Sequence, residues 1–283
     1  MSEIKKVAVI GLGTMGSGIA QVCAQSGFET YCYEINQDLV EKGVARIHGN
    51  LEFGLKKGKF TEEAVNQAKG CLKPVTDLNA LSDADLVIEA IIENIDIKKD
   101  LFKKLDEICP EHAILASNTS SLSITEMASA TQRTDKVLGL HFFNPAFLMK
   151  LVEVVKGLET SEESIESAYA FAEKLGKKAV LAKDTPGFIV NLLLIPYLID
   201  AARLFENGLA SAEDIDSAMK LGAGHPMGPL TLMDMIGIDV CVMVGDILYD
   251  AYREGKYAVP PLMRRMVMAG HLGRKSGRGF YKY

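Results

Sequence analysis

Two polar residues interrupt apolar runs in the stretch LGLHFFNPAFLMKLVEVV, residues 138–155: His141 lies in the first run and Glu153 in the second, twelve residues later. A polar group buried in such a setting costs roughly a few kcal/mol if unpaired, and a charge costs more. Each needs a partner or a task. A histidine accepts a proton near neutrality because its ordinary pKa is about 6.5. A carboxylate behind it selects the productive tautomer and stabilises the imidazolium that forms, which is the logic of a triad without the nucleophile. His141 and Glu153 are of the residue types that such chemistry uses.

A second constellation is a glycine triplet. VAVIGLGTMGSGIA places Gly11, Gly13 and Gly16 in G-x-G-x-x-G spacing between an apolar strand and an apolar helix, with Thr14 and Met15 inside the turn. The helix N-terminus offers backbone N–H groups to a pyrophosphate, and a bulkier residue at Gly13 would block its approach. The next strand pattern, ETYCYE, ends at Glu34, about 20 residues on, where a ribose-binding acid is expected. A carboxylate there accepts hydrogen bonds from ribose hydroxyls and repels a 2′-phosphate. NAD is expected over NADP.

The elements that must carry these residues are legible as alternating short β-rich runs and helical segments, the pattern of a parallel sheet wrapped by helices. Strands are expected at KVAVIG, ETYCYE, DLVIEA, AILASN, KVLGLHFF, LVEVV and AVLAKD. After DTPGF the β-runs largely stop, and NLLLIPYLIDAARLFENG, SAEDIDSAMKLG and DVCVMVGDILYDAYREG carry helical spacing. The expected fold is α/β, with a Rossmann-type, mostly parallel sheet domain over residues 1–185 and a smaller all-helical domain over residues 186–283. His141 and Glu153 then fall at the ends of late strands, where ligands of open α/β sheets bind. ASNTSS follows a strand, so Asn118, Thr119 and Ser120 lie on a loop at its carboxyl end, where a hydroxyl can polarise a substrate oxygen. His48, His112, His225 and His271 have no such setting and read as surface or structural residues.

Composition bounds the remaining choices. The chain has 283 residues, 48% hydrophobic and 24% charged, which suits an ordinary globular protein able to bury a core without staples. Its net charge of −6 argues against non-specific binding to nucleic acid. Inside this acidic chain GLKKGKF gathers Lys56, Lys57 and Lys59, a local attraction for an anionic ligand at a cleft mouth. Cys23, Cys32, Cys71, Cys109 and Cys241 show neither CxxC nor zinc-type spacing, so they read as reduced packing residues and no metal is expected. MSEIKKVAVIGLG runs directly into a strand pattern without a signal-type leader, and no apolar run reaches membrane-spanning length. A cytoplasmic location and no membrane partner are expected. LLLIPYLIDAARLF, MGPLTLMDMIGIDVCVMVG and PPLMRRMVMAG put apolar side chains on more faces than about a hundred residues can cover, so a homodimer associating through the helical region is expected.

Beyond these readings, GLGTMGSGIA, VIEAIIENIDIKKDLF, ASNTSSLSI, GLHFFNP, KLVEVVKG, KDTPGFIVN, ASAEDIDSAMKLGAGHPMGP and KSGRGFY occur in this order along essentially the whole chain. In these motifs the sequence resembles the L-3-hydroxyacyl-CoA dehydrogenase family. The resemblance implies an NAD-dependent oxidoreductase that interconverts a short-chain L-3-hydroxyacyl-CoA, 3-hydroxybutyryl-CoA in particular, and its 3-ketoacyl-CoA. It implies His141 as the base, Glu153 as its partner, and Ser120 and Asn191 as groups that hydrogen-bond the substrate. Glu93, Lys98, Ser120, Asn144 and Lys275 are implied in the cofactor's contact set, and Asn50 and Lys57 in the grip on CoA. One position departs: Leu192 stands where the family usually has an arginine. Two other readings compete, a dehydrogenase of a free hydroxy acid or sugar acid on the same scaffold, and a non-catalytic NAD(H)-sensing module.

Overall fold

The run KVAVI forms β1 (Lys6–Ile10), whose last four residues are fully buried, and the glycine turn leads from it into α1 (Thr14–Gln25). There follow β2 (Glu29–Tyr33), α2 (Gln37–Lys56), α3 (Glu62–Cys71), β3 (Leu72–Val75), β4 (Leu86–Glu89), α4 (Ile95–Ile108), β5 (Ile114–Ser117), α5 (Ile124–Ala128), β6 (Val137–Phe142), β7 (Leu151–Lys156), α6 (Glu162–Lys174) and β8 (Lys178–Lys183). The computed structural model describes residues 3–283, in two units divided after Asp184.

In the first unit the eight strands make one sheet in the order β3-β2-β1-β4-β5-β6-β7-β8. All neighbours are parallel except β6 and β7, which pair antiparallel. β4 and β5 are buried at every position, as strands sandwiched between helical layers must be. Strand order reverses between β1 and β4, which opens a crevice at the carboxyl ends of these strands. Helix starts are locally encoded: Asn36 caps α2 by accepting from Leu39 N–H, and Asn94 caps α4 by accepting from Ile97 N–H.

β3 lies outside the seven strands expected from the sequence. It is an edge strand that pairs only with β2, its Lys73 and Pro74 are exposed, and Pro74 sits opposite Cys32. Proline cannot donate to a ladder and is tolerated at an edge, so the segment carries no apolar run to betray it.

The second unit spans Thr185–Tyr283 and holds α7 (Val190–Glu206), α8 (Ala212–Gly222), α9 (Pro229–Ile236), α10 (Ile238–Tyr252) and α11 (Pro261–Met268). Leu198, Ile199, Leu230, Met233, Cys241 and Met263 are among the residues of its core. Asp234, buried at the centre, accepts from the backbone N–H groups of Phe280 and Tyr281 at 2.9 and 3.0 Å, and burial pushes its carboxyl above the usual range. A Cβ at Gly279 would lie 1.9 Å from the same carboxylate, so the glycine of KSGRGFY lets the terminal segment close over it.

Candidate active site

The glycine turn is built for close approach. Gly11 has φ +88°, and an added Cβ would lie 2.7 Å from the Ala90 carbonyl oxygen. A Cβ at Gly16 would lie 1.7 Å from the Gly11 carbonyl oxygen, so helix and turn pack together only because both residues lack side chains. At Gly13 an added Cβ meets nothing within 4 Å. Gly13 and Thr14 are exposed, Met15 is half-buried, and the N-terminus of α1 has no side-chain cap. Unused N–H groups facing open space are what a pyrophosphate requires.

Glu34, one residue beyond β2, accepts from Leu12 N–H at 2.7 Å, which fixes its carboxylate beside the turn. Arg46 on α2 donates to the Leu12 carbonyl at 3.0 Å, a contact that the sequence did not reveal. The uncapped helix end, the space over Gly13 and the carboxylate of Glu34 together fit a dinucleotide whose ribose hydroxyls are donors.

Farther along the sheet, the antiparallel register of β6 and β7 sets His141 directly opposite Glu153. Residues so paired project from the same face with Cβ atoms about 5 Å apart. His141 Nδ1 lies 2.6 Å from Glu153 Oε2, and both side chains are buried, Glu153 completely. The Phe143 ring packs at 4.5 Å between centroids from the imidazole. Nδ1 is thus the ring nitrogen that the carboxylate engages, which orients the imidazole on its strand.

Ser120 reaches the same region through its loop. Ser117 ends β5 opposite Gly139 of β6, and Asn118 Oδ1 accepts from Phe142 N–H at 2.9 Å, so the start of the loop is tied to the end of the strand carrying His141. Glu93 holds the rest: one of its oxygens accepts from Thr119 Oγ1, from Ser120 N–H at 3.3 Å and from Ser121 Oγ at 3.2 Å. Lys98 is 1% exposed, with Nζ 2.5 Å from Glu89 Oε1 and 3.3 Å from Glu93 Oε2. Its ammonium thus lies between two carboxylates, where it holds Glu93 in place. Glu89 was missed in the sequence, although an acid closing the apolar run DLVIE was its signal.

Asn144 is exposed on the loop that joins β6 to β7. Lys177 Nζ donates to the Ala146 and Met149 carbonyls of that loop, at 2.6 Å each, and burial lowers its pKa. As one lysine in LGKKAV it gave no sequence signal. On α2 and its end, Lys56, Lys57 and Lys59 are exposed, Lys57 lies over the Phe53 ring, and the Asn50 amide donates to Gln21 Oε1 at 3.2 Å.

In the helical unit Asn191 is half-buried in the first turn of α7. It follows Gly187 and Phe188, which both have positive φ, +83° and +48°. Such a backbone is strained at a phenylalanine, and strain of this kind gathers near functional residues. Leu192, in place of the family's arginine, packs against the helical core. Lys275 pairs with Asp239 at 2.7 Å.

The family profile described as 3-hydroxyacyl-CoA dehydrogenase, NAD binding domain, matches residues 6–185, and that described as 3-hydroxyacyl-CoA dehydrogenase, C-terminal domain, matches residues 187–283. A protein of Bacillus subtilis named probable 3-hydroxybutyryl-CoA dehydrogenase is 48% identical over 99% of this chain and 98% of its own length. The mitochondrial hydroxyacyl-coenzyme A dehydrogenase of Mus musculus is 49% identical over 99% of this chain and 91% of its own. Among solved structures, FadB2 of Mycobacterium tuberculosis superposes with a TM-score of 0.98 at 46% identity, covering all of both chains. The (S)-3-hydroxybutyryl-CoA dehydrogenase PaaH1 of Ralstonia eutropha superposes with a TM-score of 0.95 at 45% identity over 99% of each. Matched by the first profile over residues 6–185 and by the second over residues 187–283, the chain belongs to the NAD-dependent 3-hydroxyacyl-CoA dehydrogenase family.

Proposed function

We propose that the protein interconverts L-3-hydroxybutyryl-CoA and acetoacetyl-CoA, with His141 as the base and Glu153 as its orienting partner. The observation that carries this reading is the 2.6 Å contact between His141 Nδ1 and Glu153 Oε2 on paired strands. In the oxidative direction His141 Nε2 takes the proton of the substrate hydroxyl, and the buried carboxylate balances the imidazolium. Bound NAD would supply the hydride acceptor for the carbon that bears that hydroxyl. In reverse, His141 returns the proton to the ketone oxygen. Ser120 and Asn191 hydrogen-bond that oxygen or its neighbours on the acyl group.

Gly11, Gly13, Thr14, Met15 and Gly16 bind the cofactor's phosphates, and Glu34 its ribose. Glu93, with Lys98 behind it, Asn144 and Lys275 complete the cofactor's contacts. Lys56, Lys57 and Asn50 attract and grip the CoA portion, whose phosphates match exposed ammonium groups. The sheet domain is the cofactor domain, and the helical domain serves substrate binding and homodimer formation. The cytoplasm is its place of action. Support for the substrate comes from relatives of Bacillus subtilis and Clostridioides difficile named for 3-hydroxybutyryl-CoA, 48% and 46% identical. The test follows NADH oxidation with acetoacetyl-CoA, longer 3-ketoacyl-CoAs and free acetoacetate side by side. Acetoacetyl-CoA is expected to turn over with the highest kcat/KM. A preference for the free acid would overturn the reading.

A further inference from the structure

Glu89 is fully buried at the end of β4, and its side-chain contacts with Lys98 and Ser117 lead toward the loop that carries Ser120. Its Oε1 accepts from Lys98 Nζ at 2.5 Å and from Ile91 N–H at 2.6 Å, and its Oε2 accepts from Ser117 Oγ at 2.7 Å. Two routes then run outward. Through Lys98 the first reaches Glu93, whose other oxygen receives Thr119 Oγ1, Ser121 Oγ and Ser120 N–H. Through Ser117 the second reaches the same loop, because Ser117 Oγ accepts from Thr119 N–H at 3.1 Å. Thr119 Oγ1 in turn accepts from Ser121 N–H and Leu122 N–H, at 3.2 and 2.9 Å. The routes close on Thr119, so Glu89, Lys98, Glu93, Thr119 and Ser117 form one ring, with Ser120 the residue next to its outermost member.

We infer that Glu89 is a positioning residue for the reaction, which sets the conformation of the Ser120 loop through Lys98 and Ser117. Packing alone does not explain a carboxylate at this place. A buried ion pair is weak evidence for stability, since replacing both charges with apolar groups is often neutral or better. What the ionic ring supplies is direction: a fixed ammonium between two carboxylates allows one placement of Glu93, and Glu93 allows one placement of Thr119, Ser120 and Ser121. With Glu89 neutral, Lys98 keeps the anionic Glu93 as its partner and draws it inward, away from the loop. That part of the inference which concerns turnover rests on the reading of Ser120 as a substrate-binding group.

The experiment compares Glu89→Gln and Ser117→Ala with the unaltered protein by two readouts. One is amide hydrogen exchange over residues 117–123, with the remote β3 segment as the internal control. The other is the kinetics of acetoacetyl-CoA reduction. Glu89→Gln is expected to speed exchange at Ser120, Ser121 and Leu122 tenfold or more, with β3 unchanged, and to lower kcat at least tenfold; the KM for NADH is expected to rise as well, because Glu93 is among the cofactor's proposed contacts. Ser117→Ala, which removes one neutral link and no charge, is expected to do the same more weakly, several-fold in each. A melting curve identifies a variant that has not folded. Ser117→Ala then decides in place of Glu89→Gln. Unchanged loop exchange, or faster exchange with unchanged kcat, in a folded variant would overturn the inference. If the unaltered protein does not reduce acetoacetyl-CoA, the proposed substrate falls while loop exchange still decides whether Glu89 sets the loop.

Discussion

A glutamine at position 153 would keep the shape of the side chain beside His141 and remove only its charge. Glu153 is fully buried and His141 nearly so, so the attraction between carboxylate and imidazolium is poorly screened by water. The amide nitrogen of glutamine would also donate where the carboxylate only accepts, favouring the wrong tautomer of the ring. Glu153→Gln is therefore expected to lower kcat by about 10³ to 10⁴, the scale of tautomer-disrupting changes in triads. NADH affinity, read by fluorescence titration, is expected to stay unchanged because the glycine turn and Glu34 are untouched. A folded variant with kcat within a few-fold of the unaltered protein would remove the pair from the mechanism.

Between β1 and α1 two glycines of one motif do different work, and substitution separates them. A methyl group at Gly13 enters open space, and the cost is that of a weaker helix cap, about 1 kcal/mol or less. At Gly16 the methyl group collides with the Gly11 carbonyl oxygen at 1.7 Å, so the turn or the helix must shift. Overpacking of that kind costs about 1–3 kcal/mol. Gly13→Ala is expected to melt near the temperature of the unaltered protein yet bind NADH at least tenfold more weakly, because the methyl group occupies the approach to the helix N-terminus. Gly16→Ala is expected to lose several degrees in Tm. Paired melting curves and NADH titrations check both, and normal NADH affinity in Gly13→Ala would return Gly13 to a purely structural role.

For the molecule as a whole, the apolar surface of the helical unit supports the proposed homodimer. Leu193 and Leu204 lie eleven residues apart on α7, three turns and so on one face, and are 71% and 43% exposed. Leu221 and Met268 are exposed above 80%. Apolar exposure along one face of a helix supports an association surface, and a two-fold axis is the commonest way to cover it. No helix among the described residues is long and apolar enough to cross a membrane. Sedimentation at micromolar concentration is expected to give twice the chain mass, and the Leu193→Glu, Leu204→Glu double variant to give a monomer with kcat reported alongside. A monomer in the unaltered protein would end the proposal.

Much of this was written locally in the chain. Apolar runs of strand length between helical patterns specify a wrapped sheet, and a glycine triplet after the first of them specifies a turn open to phosphate, because both depend on residues a few positions apart. His141 and Glu153 could be picked out as polar residues in apolar runs for the same reason. That they touch was decided by the register of β6 on β7, since a slip of one residue would send the two side chains to opposite faces. β3 was invisible because an edge strand with Pro74 needs no apolar pattern, only a neighbour in β2 with ladder groups to satisfy. Glu89 and Lys98 stand nine residues apart, and nothing in DLVIEAIIENIDIKK says that both are buried or that their charges cancel across a strand end and a helix. Which ionic groups pair, and which side chains lose water, follows from segments far apart in the chain packing together, and that is settled only when the tertiary structure forms.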